Sequence, residues 1–304
     1  MVEETHKKIK KFSGIHGVLY SLFDKYEKID LQAMKDQTQL LLDTGIQGIT
    51  VLGLATEVQK LSKDERLQIV RIVSAEVAGK VPFSVTVSGN SVLEQREIAK
   101  YAIQNGADCL ILQPPTVGSY AANEYIEFYL RVAENLSGRF AIQNAPQYLG
   151  RALSIADIAH LRSRNKNFDI IKAECSSVDL ADLIEISGSD LTVLNGRGGL
   201  EMTDCLNVGA SGFILAPEMI DLSKKVYDFW MEDKNDKAVQ YYSDMLPALV
   251  FVMQSIEHLI CYGKRLFGLR ANFKIYDRSP HLKPTDAGLK LTQMWAQRLG
   301  KFNL

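Results

Sequence analysis

The sequence predicts a (β/α)8 barrel, a TIM barrel of the α/β class, that continues into a C-terminal helical extension. Three observations predict it. Short β-rich apolar runs alternate with amphipathic helical stretches, the runs number eight, and beyond the last of them only helical periodicity remains. A chain of 304 residues is also within the range that α/β barrels span as one unit.

The runs begin near Gly14 (GIHGVLYSLF), Gln47 (QGITVLG), Val81 (VPFSVTVS), Asp108 (DCLILQP), Phe140 (FAIQN), Phe168 (FDIIKAE), Leu191 (LTVLNG) and Ser211 (SGFILAP). Uninterrupted apolar strands such as CLIL and FILA suit parallel strands covered on both faces. A doubly wound sheet is the competing architecture. It is disfavoured because neither G-x-G-x-x-G nor G-x-x-x-x-G-K-[ST] occurs at a strand–helix turn. Between the runs, Ser62-Lys63-Asp64-Glu65 and Ser91-Val92-Leu93-Glu94 read as capping boxes, in which the hydroxyl and the carboxylate each satisfy a free N–H of the helix start. Gly45, Gly79 and Gly106 fall at helix ends, where a left-handed cap suits glycine. Asn105-Gly106-Ala107 and Val208-Gly209-Ala210 repeat one short helix-to-strand connection. From about Pro217 onward the pattern is helical, with one long segment over about 236–267, another over 285–299, and a loop between them carrying Pro280 and Pro284. The resulting division is a barrel with the active site over 1–232 and an extension over 233–304, with no linker-like stretch between them.

Composition bounds the function. A formal net charge of -1 argues against nucleic acid or an anionic membrane as a general partner. The four cysteines, Cys109, Cys175, Cys205 and Cys261, form no CxxC pair, and no histidines stand at zinc spacing, so neither a disulfide framework nor a metal is expected. Met1 to Lys11 is polar and charged, unlike a signal peptide, and no apolar run is long enough to span a bilayer. The expected compartment is therefore cytoplasmic.

Barrel enzymes carry their chemistry at the C-terminal ends of the strands. Those ends are Gly53 to Glu57, Gln143 to Pro146, Lys172 to Glu174 and Asn195 to Gly199. Side chains alternate along a strand, so Ile170, Lys172 and Glu174 share a face. If that face points inward, Lys172 sits in apolar surroundings that disfavour the ammonium and leave a nucleophilic amine. Such an amine attacks a ketone to form an iminium, an electron sink for cleavage or elimination at the neighbouring carbon. The spacing alone equally fits a surface pair between Lys172 and Glu174. The backbone N–H groups of the segment Gly53-Leu54-Ala55-Thr56-Glu57 could bind a carboxylate, or the segment could be an ordinary βα turn. Gly196-Arg197-Gly198-Gly199 follows the seventh strand, where barrels often bind phosphate, though a glycine turn with a solvated arginine fits as well. His16 reads as structural or solvent-facing. Tyr20, Tyr120 and Tyr148 are candidate proton donors, and Tyr101 reads as helix core.

GLATEVQKLSKDER (53–66), VSGNSVLEQREIAKYAIQNGAD (87–108), NAPQYLG (144–150), IIKAE (170–174) and DRSPHLKP (277–284) together resemble the dihydrodipicolinate synthase/N-acetylneuraminate lyase family over nearly the whole chain. The resemblance implies a (β/α)8 barrel with a helical tail, cofactor-free class I chemistry on pyruvate or another 2-oxo acid, a homodimer or homotetramer, and Lys172 as the Schiff-base lysine. The departures bear on substrate. Gln143 stands where the family has its relay tyrosine. Tyr148 stands where the synthase has a carboxylate-gripping arginine, and Leu54-Ala55 replace a threonine pair. The tyrosine that members lend across a dimer would fall near Pro115-Thr116 and is missing. Gln143, Lys172 with Glu174, and Gly198-Gly199-Leu200 resemble instead the branch of 2-keto-3-deoxy-sugar-acid dehydratases. The expected activity is thus dehydration or retro-aldol cleavage of such an acid. Lys172 and Glu174 would be catalytic, and Leu54, Ala55, Thr56, Gln143, Asn144, Tyr148, Arg197 and Gly198 would form the substrate site. The alternatives are a pyruvate-condensing synthase and a non-catalytic sensor of 2-oxo acids.

Overall fold

The structure, a computed structural model, describes residues 12–302, so the charged stretch Met1 to Lys11 lies outside the described residues. Eight strands form: β1 (Gly14–Val18), β2 (Gly48–Val51), β3 (Phe83–Val87), β4 (Cys109–Leu112), β5 (Arg139–Asn144), β6 (Phe168–Ala173), β7 (Thr192–Asn195) and β8 (Gly212–Leu215). Each pairs in parallel with the next, and β8 pairs back with β1, which closes the barrel. Nearly every strand residue is buried, as expected of strands that carry side chains inward to the barrel core and outward under the helices.

A helix follows each strand, and a side-chain cap marks the start of several of them. Ser62 accepts from the Glu65 N–H while the Glu65 carboxylate accepts from the Ser62 N–H, so the first predicted capping box forms in full. The second forms only in half. Ser91 accepts from Glu94 N, but the Glu94 carboxylate reaches one residue further back and accepts from Asn90 N. Gly45, Gly79 and Gly106 all take left-handed φ at helix ends, as expected.

The extension departs from the sequence reading. The segment read as one helix over about 236–267 is two, Asn235–Val252 and a run from Ile256 to Ala271, bent by 103°. Pro247 lies inside the first without ending it, whereas the break falls at residues 253–255, where Ser255 caps the second helix by accepting from His258 N. Within that second run, Leu259–Gly263 adopts a π-helical turn. The last helix is Asp286–Leu299. No single helix among the described residues is long and apolar enough to cross a membrane.

Three buried polar ties fasten the extension to the barrel. Lys264 Nζ lies 2.6 Å from Glu57 Oε1, in the turn after β2. Arg270 donates to both oxygens of Asp221 at 2.9 and 2.7 Å. Arg270 also donates to the Glu218 carbonyl at 2.7 Å, and the Glu218 carboxylate accepts from the Tyr20 hydroxyl at 2.7 Å. Burial pushes the Tyr20 phenol well above its ordinary value, with the Glu218 charge adding to it, and burial likewise raises Glu218.

Candidate active site

The barrel opens at the C-terminal ends of its strands into an inner cell of about 30 Å³, above which lies an outer chamber of about 860 Å³. Leu54, Tyr148, Arg197, Met253 and Ile256 line both, so the two adjoin. Lys172 and Glu174 line the inner cell together with Val18 and Ile214. The strand alternation read from IIKAE is therefore realised with its polar face inward.

Lys172 is 6% exposed and Glu174 4%, and Lys172 Nζ lies 2.8 Å from Glu174 Oε1. This pair is not the solvent-facing ion pair that the spacing alone allowed. Gln143 stands beside Lys172 in register across β5 and β6. Its amide Nε2 donates to Glu174 Oε1 at 2.5 Å. Glu174 Oε1 thus accepts one hydrogen bond, from Gln143, and is ion-paired with the Lys172 ammonium, while no hydrogen bond to Oε2 forms among the described residues. Gly196, just after β7, makes room for this carboxylate, because a Cβ there would lie 2.8 Å from Glu174 Cγ.

Leu54 and Ala55 line the cell opposite the lysine, both buried. The turn bonds that follow begin at Thr56 N and Glu57 N, which donate to the Gly53 and Leu54 carbonyls. The N–H groups of Leu54 and Ala55 have no partner among the described residues. Two adjacent free donors at the wall of a cell are the arrangement that binds a carboxylate. The Thr56 side chain does not join them. Its hydroxyl donates to the Leu19 carbonyl at 2.7 Å, which turns it away from the cell and into the packing under the turn.

Arg197 follows β7 with φ +50 and reaches the junction of cell and chamber. Its Nη1 donates to the Cys175 carbonyl at 3.0 Å and lies 3.3 Å from Glu201 Oε2, so it is held rather than solvated. Tyr148 lies beside Arg197, and burial together with the Glu174 charge raises the phenol while Arg197 opposes the shift. Gly198 has φ +66, and a Cβ there would meet Met253 Sδ at 2.5 Å, so glycine lets the extension close over the cell. Asn144 is placed elsewhere. Its amide exchanges hydrogen bonds with the Leu153 backbone, at 3.0 Å to the carbonyl and 2.8 Å from the N–H, and acts as a clip on the loop after β5. Of the other candidates, Tyr20 is buried against Glu218, Tyr120 is 58% exposed, and Tyr101 is half-buried against the core. Burial pushes the Cys175 thiol up to about 11, which suits a protonated thiol rather than a nucleophile.

Sequence reasoning did not find the apolar roof. Met253, Ile256 and Leu259 all come from the bend and π-turn of the extension. Nothing in the residues 253–259 marks them as site residues, since only the bend brings them over the barrel mouth.

Comparison with known proteins gives a consistent picture. The model of the dihydrodipicolinate synthetase family matches residues 11–282. L-2-keto-3-deoxyarabonate dehydratase of Azospirillum brasilense is 26% identical over 251 residues, 81% of each chain. The 4-hydroxy-tetrahydrodipicolinate synthase of Methanopyrus kandleri is 26% identical over 243 residues, 77% of this chain and 80% of that one. Among solved structures, a prophage protein of the dihydrodipicolinic acid synthase family from Escherichia coli K12, crystallised with pyruvate, superposes with a TM-score of 0.88. It is 20% identical, covering 95% of this chain and 98% of that one.

Proposed function

The chain belongs to the dihydrodipicolinate synthetase family of class I Schiff-base lyases and aldolases acting on 2-oxo acids, and from that premise we propose that it dehydrates or cleaves a 2-keto-3-deoxy sugar acid, with Lys172 as the amine and Glu174 as the proton carrier. The observation that carries this reading is the buried pair itself, with Lys172 Nζ 2.8 Å from Glu174 Oε1 at the wall of a cell whose facing turn offers two free N–H groups.

In this reading the substrate carboxylate binds the N–H groups of Leu54 and Ala55, which holds the keto carbon against Lys172. Glu174 takes a proton from the lysine nitrogen. The amine adds to the keto carbon, Glu174 returns that proton to the departing hydroxyl, and loss of water leaves the iminium with Glu174 again a carboxylate. In a dehydration, Glu174 removes a proton from C3, the resulting enamine expels the C4 hydroxyl, and the proton returns to that hydroxyl as water leaves. In a retro-aldol cleavage the proton comes from the C4 hydroxyl, the C3–C4 bond breaks, and the enamine is protonated at C3 before hydrolysis releases pyruvate. Arg197 and Tyr148, which line both cell and chamber, would contact the distal hydroxyls. The condensing-synthase reading is less well supported. Gln143 stands where that chemistry needs an acid–base side chain, and its amide is occupied with Glu174.

The test uses pyruvate and sodium borohydride, followed by exchange of the pyruvate methyl protons in D2O. Reduction should fix an adduct on the peptide containing Lys172. Glu174→Gln should keep that adduct while slowing methyl exchange by roughly 100-fold or more, the range for a positioned acid–base group. No adduct at Lys172, or unchanged exchange in Glu174→Gln, would overturn the assignment. With sugar acids, a dehydratase releases no pyruvate and an aldolase does.

A further inference from the structure

Behind the Lys172–Glu174 pair lies a second amide that none of the site motifs contains. Gln113 directly follows β4, and its side-chain Nε2 donates to Gln143 Oε1 at 2.7 Å. With Gln143 donating on to Glu174 at 2.5 Å and Glu174 ion-paired with Lys172 Nζ at 2.8 Å, four side chains form one chain across three adjacent strands, β4, β5 and β6. All are enclosed, at 1% exposure for Gln113, 2% for Gln143, 4% for Glu174 and 6% for Lys172. Gln113 is itself held at both backbone groups. Its N–H donates to the Val87 carbonyl at 3.0 Å, and its carbonyl accepts from Gln95 Nε2 at 2.9 Å.

A carboxamide has a donor end and an acceptor end of nearly the same shape, so its neighbours decide which end points where. The donor of Gln113 meets the acceptor end of Gln143, which leaves the donor end of Gln143 facing Glu174. Rotation of the Gln143 amide by half a turn would set donor against donor at Gln113 and oxygen against carboxylate at Glu174. In a buried site either mismatch is costly. We infer that Gln113 is a positioning residue for the proposed catalytic carboxylate: by donating to Gln143 it fixes the Gln143 amide in the sense that donates to Glu174 Oε1, the oxygen already ion-paired with Lys172, and leaves Oε2 to carry the substrate's proton. The inference rests on the assignment of Glu174 as the proton carrier. It assigns the relay tyrosine's missing role to Glu174 and makes the two glutamines its support rather than a substitute relay.

Two variants separate an orientation role from packing. Gln113→Glu keeps the shape and replaces the donor with an acceptor, which draws the Gln143 amide round and turns its oxygen on Glu174. Gln113→Met keeps comparable volume and removes the donor. In both, borohydride with pyruvate should still fix Lys172, while methyl exchange in D2O falls by about tenfold or more, part of the roughly 10²-fold or larger contribution of a placed acid–base group. The rate of Gln113→Glu relative to Gln113→Met should rise as pH falls, because protonating the introduced carboxyl restores a donor toward Gln143. A purely structural role would not move that ratio. Parent-like exchange in both variants, or a ratio flat with pH, overturns the inference. Should Gln113→Glu not fold, Gln113→Met decides by itself, through exchange lost with the adduct retained or exchange unchanged. Failure of the underlying reading looks different: Glu174→Gln would then exchange at the parent rate.

Discussion

His16 offers a stability test that does not depend on the substrate. It lies on β1 two residues deeper than Val18, fully buried, with its ring stacked on Phe12 at 5.7 Å between centroids. Nε2 lies 3.3 Å from the Ser13 carbonyl, whereas Nδ1 has no partner among the described residues and points at Gly48, where a Cβ would sit 2.0 Å away. Protonating the ring would therefore bury a cation with an unsatisfied N–H. Burial pushes its pKa from 6.5 down to about 4, with the Ser13 contact opposing. Because the folded value is depressed, the stabilisation is complete above pH 6.5, where neither state binds the proton, and is lost as pH falls toward 4. At roughly 1.4 kcal/mol per pH unit the loss totals about 3 kcal/mol, of which about 2 kcal/mol is already gone at pH 5. Urea unfolding of the parent and of His16→Gln between pH 8 and pH 4 measures it. His16→Gln keeps a donor for Ser13 and does not titrate there. The difference in unfolding free energy between the two proteins should shrink by about 3 kcal/mol over that interval. A difference constant with pH would mean that the ring takes up its proton in the folded barrel, and the reasoning from burial would fail.

Two further substitutions probe the site and its roof. Gly196→Ala brings a Cβ to 2.8 Å from Glu174 Cγ, so it should displace the carboxylate. Pyruvate methyl exchange should drop by about tenfold or more while the borohydride adduct persists, and an unchanged rate would show that the carboxylate is not confined there. Arg270→Met leaves the buried Asp221 carboxylate without its two-pronged partner. Breaking a buried pair costs about 3–5 kcal/mol, which for a chain of this length lowers Tm by roughly 5–8 °C. A calorimetric shift below about 2 °C would show that Asp221 finds other partners or water.

What could be read from the chain beforehand divides along physical lines. The barrel was legible because strands buried on both faces leave continuous apolar runs, and helix starts leave local signals such as Ser62 and Glu65. The same signal was half wrong at Ser91, since Glu94 can reach two neighbouring N–H groups and spacing does not choose between them. The bend at residues 253–255 was not legible. Helical periodicity runs across it, and the residue that looks like a breaker, Pro247, does not break the helix. In the site, strand parity was enough to place Lys172 and Glu174 on one face. It could not say that Thr56 and Asn144 would spend their polar groups on nearby backbone, because those partners, Leu19 and Leu153, are set by loop geometry. Gln113 left no signal at all, as its contact with Gln143 is a property of the neighbouring strand it meets.

The roof explains why the extension is tied down by polar groups. Apolar burial of Met253, Ile256 and Leu259 over the cell is non-directional, and it would tolerate sliding of the second extension helix along the barrel mouth. The Glu57–Lys264 pair does not tolerate it. Lys264 is 0% exposed, its ammonium is disfavoured by burial and favoured by Glu57, and any shift that lengthens the 2.6 Å contact leaves two charges in a dry interior. Glu57 is also the residue that ends the Leu54–Ala55 turn, with φ +55, and it holds Lys60 at 2.6 Å as well. Lys60 in turn donates to the Arg278 carbonyl at 3.2 Å, while Arg278 donates to the Lys60 carbonyl at 3.0 Å. One carboxylate therefore fixes the turn bearing the free N–H groups, the roof helix and the loop over the outer chamber in a single register. The position of the candidate carboxylate-binding turn relative to Lys172 is thus tied to a carboxylate that belongs to the end of that turn and does not touch the lysine.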